Sequence, residues 1–355
     1  MGAVAALILF LIHIPDVRVK TDLPATVPAI LKSLDIPGFG IFAPFAVMFL
    51  LALQWGGTTY AWNSSVVIGL FCGSGAMLLV FIAWEHRMGE EATFPLSMIK
   101  QRVVWCSCLF MFFLGANLLT TGYFMAIYFQ SVRGIQPMLS GVYLLPAILS
   151  QLFMAVLSGA LGLFPRVILS HHANGRTVNR LGYYLPWGVV CGALASIGSG
   201  LISTLRPDSS AVKWIFYQII AGTGRGCGMQ MAIVAVQNHT SPVHLSVGMS
   251  IIIFAQSFGA ALSIALGDTI MSTGIKNSLP KYAPSVNIQQ VIEAGATHFR
   301  DVIKKEDIPG VALAYSEAVN HVFYLVTATG VMVFVFSWGM GWKNIKRAKV
   351  LKPEA

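Results

Sequence analysis

The chain has 355 residues, of which 56% are hydrophobic and 10% are charged, and its mean hydropathy is +0.72. A soluble domain carries about 25% charged residues, so no water-soluble core could cover this much apolar surface. We therefore predict an all-α polytopic membrane protein that lies in a lipid bilayer. In such a protein the net charge of +9 reflects the loops, and we expect no nucleic-acid partner.

Apolar runs of about 20 residues predict the membrane spans. Residues 1–14 are apolar but short for a span, and we interpret them as the end of a truncated helix. After them the sequence predicts eight full helices, at Gly38–Leu53, Ser65–Trp84, Trp105–Gln130, Gly141–Phe164, Tyr184–Thr204, Trp214–Gln237, Val247–Ser272 and His321–Trp342.

The distribution of Lys and Arg between the loops predicts the orientation of the chain in the membrane. With the C-terminus inside, the loops and tail on that side hold fourteen basic residues, whereas the three short loops on the other side hold three. We therefore expect a cytoplasmic C-terminus that ends in the basic tail 346–355.

Two features of the predicted outer loops stand out. The long loop 273–320 contains apolar residues at a weak helical period, which predicts a short amphipathic helix with a solvated charged face; these residues are Val291, Ile292, Ala294 and Phe299. The sequence Asn63-Ser64-Ser65 fits the glycosylation acceptor pattern, so Asn63 is a possible glycosylation site.

Five segments, in chain order, resemble one known family. The chain resembles the fourteen-helix drug:proton antiporter branch of the major facilitator superfamily, and within it the fungal toxin and multidrug efflux pumps. The resemblance covers about residues 1 to 345 and is carried by LLALQWGGTTYAWNSSVVIGLF (50–71), FMAIYFQSVRGIQPMLSGVYLLP (124–146), RLGYYLPWGVVCGALASIGSGLISTL (180–205), YQIIAGTGRGCGMQMAIVAVQN (217–238) and SVGMSIIIFAQSFGAALSIAL (246–266).

The resemblance implies a major facilitator fold that is incomplete, because the chain begins within what looks like the sixth helix of that family. On this interpretation 15–84 is a cytoplasmic linker with two accessory helices, and 85–345 is the C-terminal six-helix bundle. The N-terminal bundle would be missing. Residues 163–179 look like an atypical insertion, and its paired His171 and His172 lack a third ligand, so we expect no metal site.

The resemblance also implies a function. It implies export of a small amphipathic compound, such as a secondary metabolite, toxin or drug, in exchange for protons, by alternating access of two bundles. The plasma membrane is implied, with the vacuolar membrane as the alternative. Because two bundles are needed, a truncated, non-transporting remnant or membrane scaffold is the second interpretation, and the oligomeric state stays open.

The motifs of enzymes and ATP-driven pumps are missing from the sequence. It holds no Ser/His/Asp set, no HExxH motif and no P-loop. We therefore expect no enzyme, no catalytic residues, no cofactor and no ATP as a partner.

Arg225 places a permanent charge on a predicted membrane helix. Counting from Trp214 at about 1.5 Å per residue puts Arg225 about 16 Å into the bilayer, close to its midplane. A charge there costs at least about 2.5 kcal/mol and is usually functional. The side chain could reach toward an interface, but we favour the interpretation that it lines a central cavity or pairs with an acid.

Four glycines flank Arg225 at the spacing that lets helix backbones approach closely. Gly222 and Gly226 are four residues apart, and so are Gly224 and Gly228, so two GxxxG pairs lie on different faces of one helix. We predict that they pack this helix against its neighbours. A dinucleotide-binding loop is excluded because no βαβ unit surrounds them.

Other polar side chains in the spans are candidates for the pathway of substrate or protons. Asp268 could pair with Arg225 or carry a proton, or it could be an interfacial residue that faces the outer loop. The other candidates either contact a ligand or join helices, and they are Gln230, Gln237, Gln256, Asn117, Tyr123 and Tyr128.

Overall fold

The computed structural model describes residues 35–89, 94–95, 98, 100–163, 185–240 and 245–341. Within these residues the chain folds into α-helices, and a 3₁₀ turn at Trp338–Met340 follows the last of them. The helices are α1 (Ile36–Trp55), α2 (Ser65–Met88), α3 (Arg102–Ser131), α4 (Pro137–Val142), α5 (Leu145–Leu163), α6 (Leu185–Ile202), α7 (Ala211–Gly228), α8 (Met231–His239), α9 (Leu245–Tyr282), α10 (Ile288–Val302) and α11 (Ile308–Ser337).

Eight segments of the described chain are long and apolar enough to cross a membrane. This confirms the predicted all-helical, polytopic architecture. The helix end predicted at 1–14, most of the insertion at 163–179 with its two histidines, and the tail 346–355 lie outside the described residues.

Several helices begin at the capping residues that their sequences supply. The Asp35 carboxylate accepts the Gly38 backbone N–H at 2.9 Å at the start of α1. The Ser64 hydroxyl accepts the Val67 N–H at 3.3 Å at the start of α2. These side chains satisfy N–H groups that a helix leaves free in its first turn.

Two spans that the sequence predicts as continuous are each divided by a turn. The first divides before Pro146: α4 ends at Val142 and α5 begins at Leu145, because proline lacks an N–H group and fits only the first turn of a new helix. The second divides at Met229 and Gln230, between α7 and α8, where the four glycines before the turn weaken helical continuity.

The predicted loop 273–320 is shorter in the structure. Helix α9 continues to Tyr282 and α11 begins at Ile308, with Pro309 in its first turn as a start signal. The amphipathic helix predicted there is present as α10, and Val291 and Phe299 on its apolar side are fully buried. The loop is shorter because apolar residues of its two flanks extend the helices instead.

Helices α3, α9 and α11 pack against one another on one side of the bundle, and α7 lies between α5 and α6 on the other. Contact between α6 and α11 joins the two groups. The α1–α2 hairpin lies at the edge: Phe42 of α1 meets Phe254 of α9 with ring centroids 5.1 Å apart, and the Thr269 hydroxyl donates to the Leu53 carbonyl at 2.8 Å.

One pair of glycines on α7 faces α5. A Cβ atom on Gly222 would overlap the carbonyl oxygen of Ala147, and a Cβ atom on Gly226 would overlap the carbonyl oxygen of Gln151. The two backbones can therefore approach this closely only where α7 has no side chain.

The other pair of glycines on α7 faces α6. A Cβ atom on Gly224 would lie 2.6 Å from the backbone nitrogen of Ala195, and one on Gly228 would overlap the Cys191 sulfur. Each GxxxG pair thus contacts a different neighbour, so α7 is held closely on both sides, as the offset of two residues between the pairs predicts.

Replacement of Gly226 by alanine should destabilise the protein by about 1–3 kcal/mol, because the new methyl group overlaps backbone rather than a movable side chain. Thermal unfolding of the purified protein in detergent would measure this loss. The control is Gly75→Ala, since nothing lies within 4 Å of a Cβ atom there and alanine is the better helix former. Equal unfolding temperatures for the two variants would contradict the close approach of α7 and α5.

Candidate functional site

Arg225 lies in the interior of the bundle, one turn before the end of α7, and is only 3% exposed. Its Nη1 donates to the Oδ1 atom of Asn117 on α3 at 3.3 Å. At this exposure the guanidinium does not reach an interface. The structure therefore places the charge against the polar side chain of another helix.

Asn117 is fully buried and connects three further points of the bundle. Its Nδ2 donates to the Val326 carbonyl at 2.9 Å and to the Ser199 hydroxyl at 3.1 Å, and the Thr329 hydroxyl oxygen lies 3.4 Å away. Helices α3, α6, α7 and α11 thus meet at one amide. Because its acceptor and its donors are both used, Asn117 fixes the position of the Arg225 guanidinium.

These polar groups form a layer between two apolar clusters. One cluster contains Phe124, Ala221 and Val326, on the side of α10, and the other contains Leu114, Cys227 and Val333. The polar layer consists of Asn117, Ser199, Arg225 and Thr329 and interrupts the apolar core at the same level on α3, α6, α7 and α11.

A cavity of about 80 Å³ lies beside this layer, between α3, α5 and α7. Apolar residues make up most of its wall, namely Leu118, Gly122, Met125, Leu144, Ala147 and Ile148. The polar side chains on the wall are Thr121, Gln151, Gln218 and Arg225. An apolar cavity with a few convergent polar groups is the usual form of a small-molecule site.

Two polar atoms on the cavity wall are buried and have no hydrogen-bond partner, the Nε of Arg225 and the Oε1 of Gln218. The Nε2 of Gln218 donates to the Tyr143 carbonyl at 3.0 Å, so only its oxygen is unused. Among the described residues, no carboxylate lies within ion-pair distance of Arg225. The arrangement thus offers a buried cation, with one buried donor atom and one buried acceptor atom that have no partner.

The possible partner Asp268 is not beside Arg225. It is half-buried on α9, which packs against α3 and α11, whereas α7 packs against α5 and α6. Asp268 lies close enough to Tyr123 of α3 for the two groups to interact electrostatically. Pairing with Arg225, one of the three roles that the sequence left open for Asp268, is therefore not found, because the two helices lie in different groups of the bundle.

The other predicted glutamines lie away from the cavity wall. Gln230 occupies the turn between α7 and α8 and is exposed, and Gln237 on α8 is exposed as well. The Gln256 backbone is so close to α3 that its carbonyl oxygen would overlap a Cβ atom on Gly115. Gln256 thus marks the crossing of α3 and α9.

The two predicted tyrosines have different environments. Tyr128 is fully buried, and its hydroxyl donates to the Arg206 carbonyl at 2.7 Å, which ties α3 to the loop between α6 and α7. Tyr123 is 46% exposed and packs edge-to-face on Phe124. Neither side chain lines the cavity. The possible glycosylation site, Asn63, is exposed in the turn before α2.

Sequence reasoning missed three polar residues on the cavity wall, and two of them had a signal. Gln218 precedes Arg225 by seven residues and Thr121 follows Asn117 by four, spacings that place each pair on one helix face. Gln151 had no such partner in its own helix, and only the packing of α5 on α7 brings it to the cavity.

The described residues thus form a polytopic helical bundle with a buried charge beside a mostly apolar cavity. Comparison with known proteins finds similar sequences among fungal transporters. The chain is 48% identical over 346 residues to the MFS-type transporter pigP of Monascus ruber, 47% over 353 residues to the efflux pump mlcE of Penicillium citrinum, and 43% over 350 residues to the efflux pump mokI of Monascus pilosus.

These matches cover 98%, 97% and 96% of the chain and 58%, 61% and 61% of the relatives. The chain thus spans about three fifths of the length of the curated relatives it matches. No family model matches the chain.

These matches support membership of the chain in the major facilitator superfamily, among fungal transporters and efflux pumps. The resemblance noted in the sequence is therefore confirmed. The relatives are transporters, so the prediction that the chain is not an enzyme is confirmed as well.

Replacement of Asn117 by alanine should lower stability by about 1–3 kcal/mol, because it leaves the Arg225 Nη1 and the Ser199 hydroxyl without their buried partner. Thermal unfolding in detergent would measure the loss. Asn277→Ala is the matched control, since Asn277 is exposed on α9. An Asn117 variant as stable as this control would contradict the central position of the amide.

Proposed function

We propose that this chain is a major facilitator transporter that exports a small amphipathic compound, such as a secondary metabolite, toxin or drug, in exchange for protons. The observation that carries the proposal is the buried Arg225 on the wall of a mostly apolar cavity. Apolar walls suit the hydrophobic part of such a compound, and the few polar groups orient it.

The division of one span beside the cavity supports this proposal. Helix α7 ends one turn after Arg225 and α8 begins after a short turn. Interrupted helices are a common feature of transporter binding sites, because they can bend while the site opens to either side of the membrane. Alternating access around Arg225 is the proposed mechanism.

The proposed location is the plasma membrane with a cytoplasmic C-terminus, and the vacuolar membrane is the alternative. The orientation is supported by the excess of Lys and Arg in the loops assigned to the cytoplasm. Asp268 is the proposed proton carrier, because it is a half-buried carboxylate on a membrane-spanning helix, beside Tyr123.

A non-transporting remnant or membrane scaffold is the second candidate. It is favoured by the hydrogen bond between Arg225 and Asn117, because buried polar side chains can also serve only to join helices. Measured efflux by the chain itself separates the two candidates.

Arg225→Ala should abolish efflux when efflux is normalised to the amount of protein in the membrane. The chain would be expressed in yeast that lacks its own pumps, and efflux of cationic rhodamine, neutral Nile red and anionic anilinonaphthalene sulfonate would be followed by fluorescence. Lys213→Ala removes an exposed charge from the same helix and should keep full efflux. No efflux of any probe by the unmodified chain would favour the scaffold, and normal efflux by Arg225→Ala would exclude Arg225 from the site.

Asp268→Asn should uncouple transport from protons, because an amide cannot release a proton. Efflux that rises with an imposed pH gradient in vesicles of the unmodified chain should no longer respond to the gradient in the variant. Asp208→Asn, at an exposed loop position, is the control. A variant that responds as the unmodified chain does would leave Asp268 as an interfacial residue.

A further inference from the structure

The charge of Arg225 has no neutralising partner in the described part of the chain. Its hydrogen-bonding partner Asn117 is a neutral amide, and no carboxylate lies within ion-pair distance among the described residues. Arginine cannot lose its proton in a protein. A buried, unpaired cation is expensive, and an anion that enters the cavity would remove this cost.

The guanidinium also has an unused donor in the right place. Asn117 takes Nη1, whereas the buried Nε has no partner. A guanidinium binds a carboxylate through two parallel N–H groups. Asn117 holds the Nη1 end of the guanidinium, and the Nε side remains available to a carboxylate that approaches from the cavity.

The rest of the wall defines the other parts of the ligand. Leu118, Met125, Leu144 and Ile148 offer an apolar surface. The free Oε1 of Gln218 lies two helical turns from Arg225, about 10 Å along α7, and can accept a hydroxyl or N–H group. A ligand with an acidic group for Arg225 and an apolar part for these side chains fits the cavity.

We propose that this cavity binds amphipathic carboxylates, with the carboxylate against Arg225 and the apolar part along α3 and α5. That such a carboxylate is the exported compound rests on the function proposed above. A cavity of about 80 Å³ has room for the carboxylate and the first part of the chain attached to it.

Binding of two matched probes tests the proposal. The purified chain in nanodiscs of neutral lipid would be titrated with radiolabelled phenylbutyrate, which is ionised at neutral pH, and with phenylbutanol, which has the same apolar part without the charge. Phenylbutyrate should bind at least about tenfold more tightly, the ratio expected for a charge-assisted hydrogen bond in a buried site. Equal binding of the two probes by the unmodified chain would overturn the proposal without any variant.

Two charge-removing variants on α7 locate the interaction. Arg225→Gln should weaken phenylbutyrate binding by about tenfold or more and change phenylbutanol binding by less than about twofold. Lys213→Gln removes an exposed charge from the same helix and should change neither. If Arg225→Gln keeps its unfolding temperature and still binds phenylbutyrate as the unmodified chain does, the proposal is wrong.

Failure of this proposal can be told apart from failure of the proposed function, because binding in nanodiscs needs no transport. Preference for the acid without efflux of any probe would support the carboxylate site and contradict the transporter. Efflux of neutral Nile red together with equal binding of acid and alcohol would support the transporter and contradict the carboxylate site.

Discussion

The hydrogen bond between Arg225 and Asn117 is the interaction on which this bundle depends. Here the two groups of helices meet through polar atoms, with apolar clusters on either side. Burial of an arginine in such a layer costs free energy that each acceptor for one of its donors reduces. The Asn117 side chain accepts a hydrogen bond from Arg225 and donates to α6 and α11. A single amide therefore both joins the helices and binds the charged group.

Hydropathy was sufficient to predict the class of fold. A membrane span needs about 20 consecutive apolar residues, and such runs make up most of this chain. It failed to predict two helix ends: α9 ends at Tyr282 and α11 begins at Ile308, so both helices extend into the predicted long loop. It also missed the turn at Gln230, since an interruption of two residues leaves the mean hydropathy of the span unchanged.

The candidate site was only partly predictable. Arg225 and Asn117 were candidates because polar side chains in a span are rare. That they touch, and that Asp268 stays with Tyr123 instead, depends on which helices are neighbours, and no spacing within one helix carries this information. Gln218 could have been predicted from the sequence, since it shares a helix face with Arg225.

The two glycine pairs have a mechanical consequence. With α5 on one face and α6 on the other, both closer than any side chain allows, α7 cannot slide along either neighbour without overlap. Helices α5, α6 and α7 therefore form one rigid unit. A change in the width of the cavity must therefore come from movement of α3 away from α5 and α7. Such a movement would break the hydrogen bond between Arg225 and Asn117.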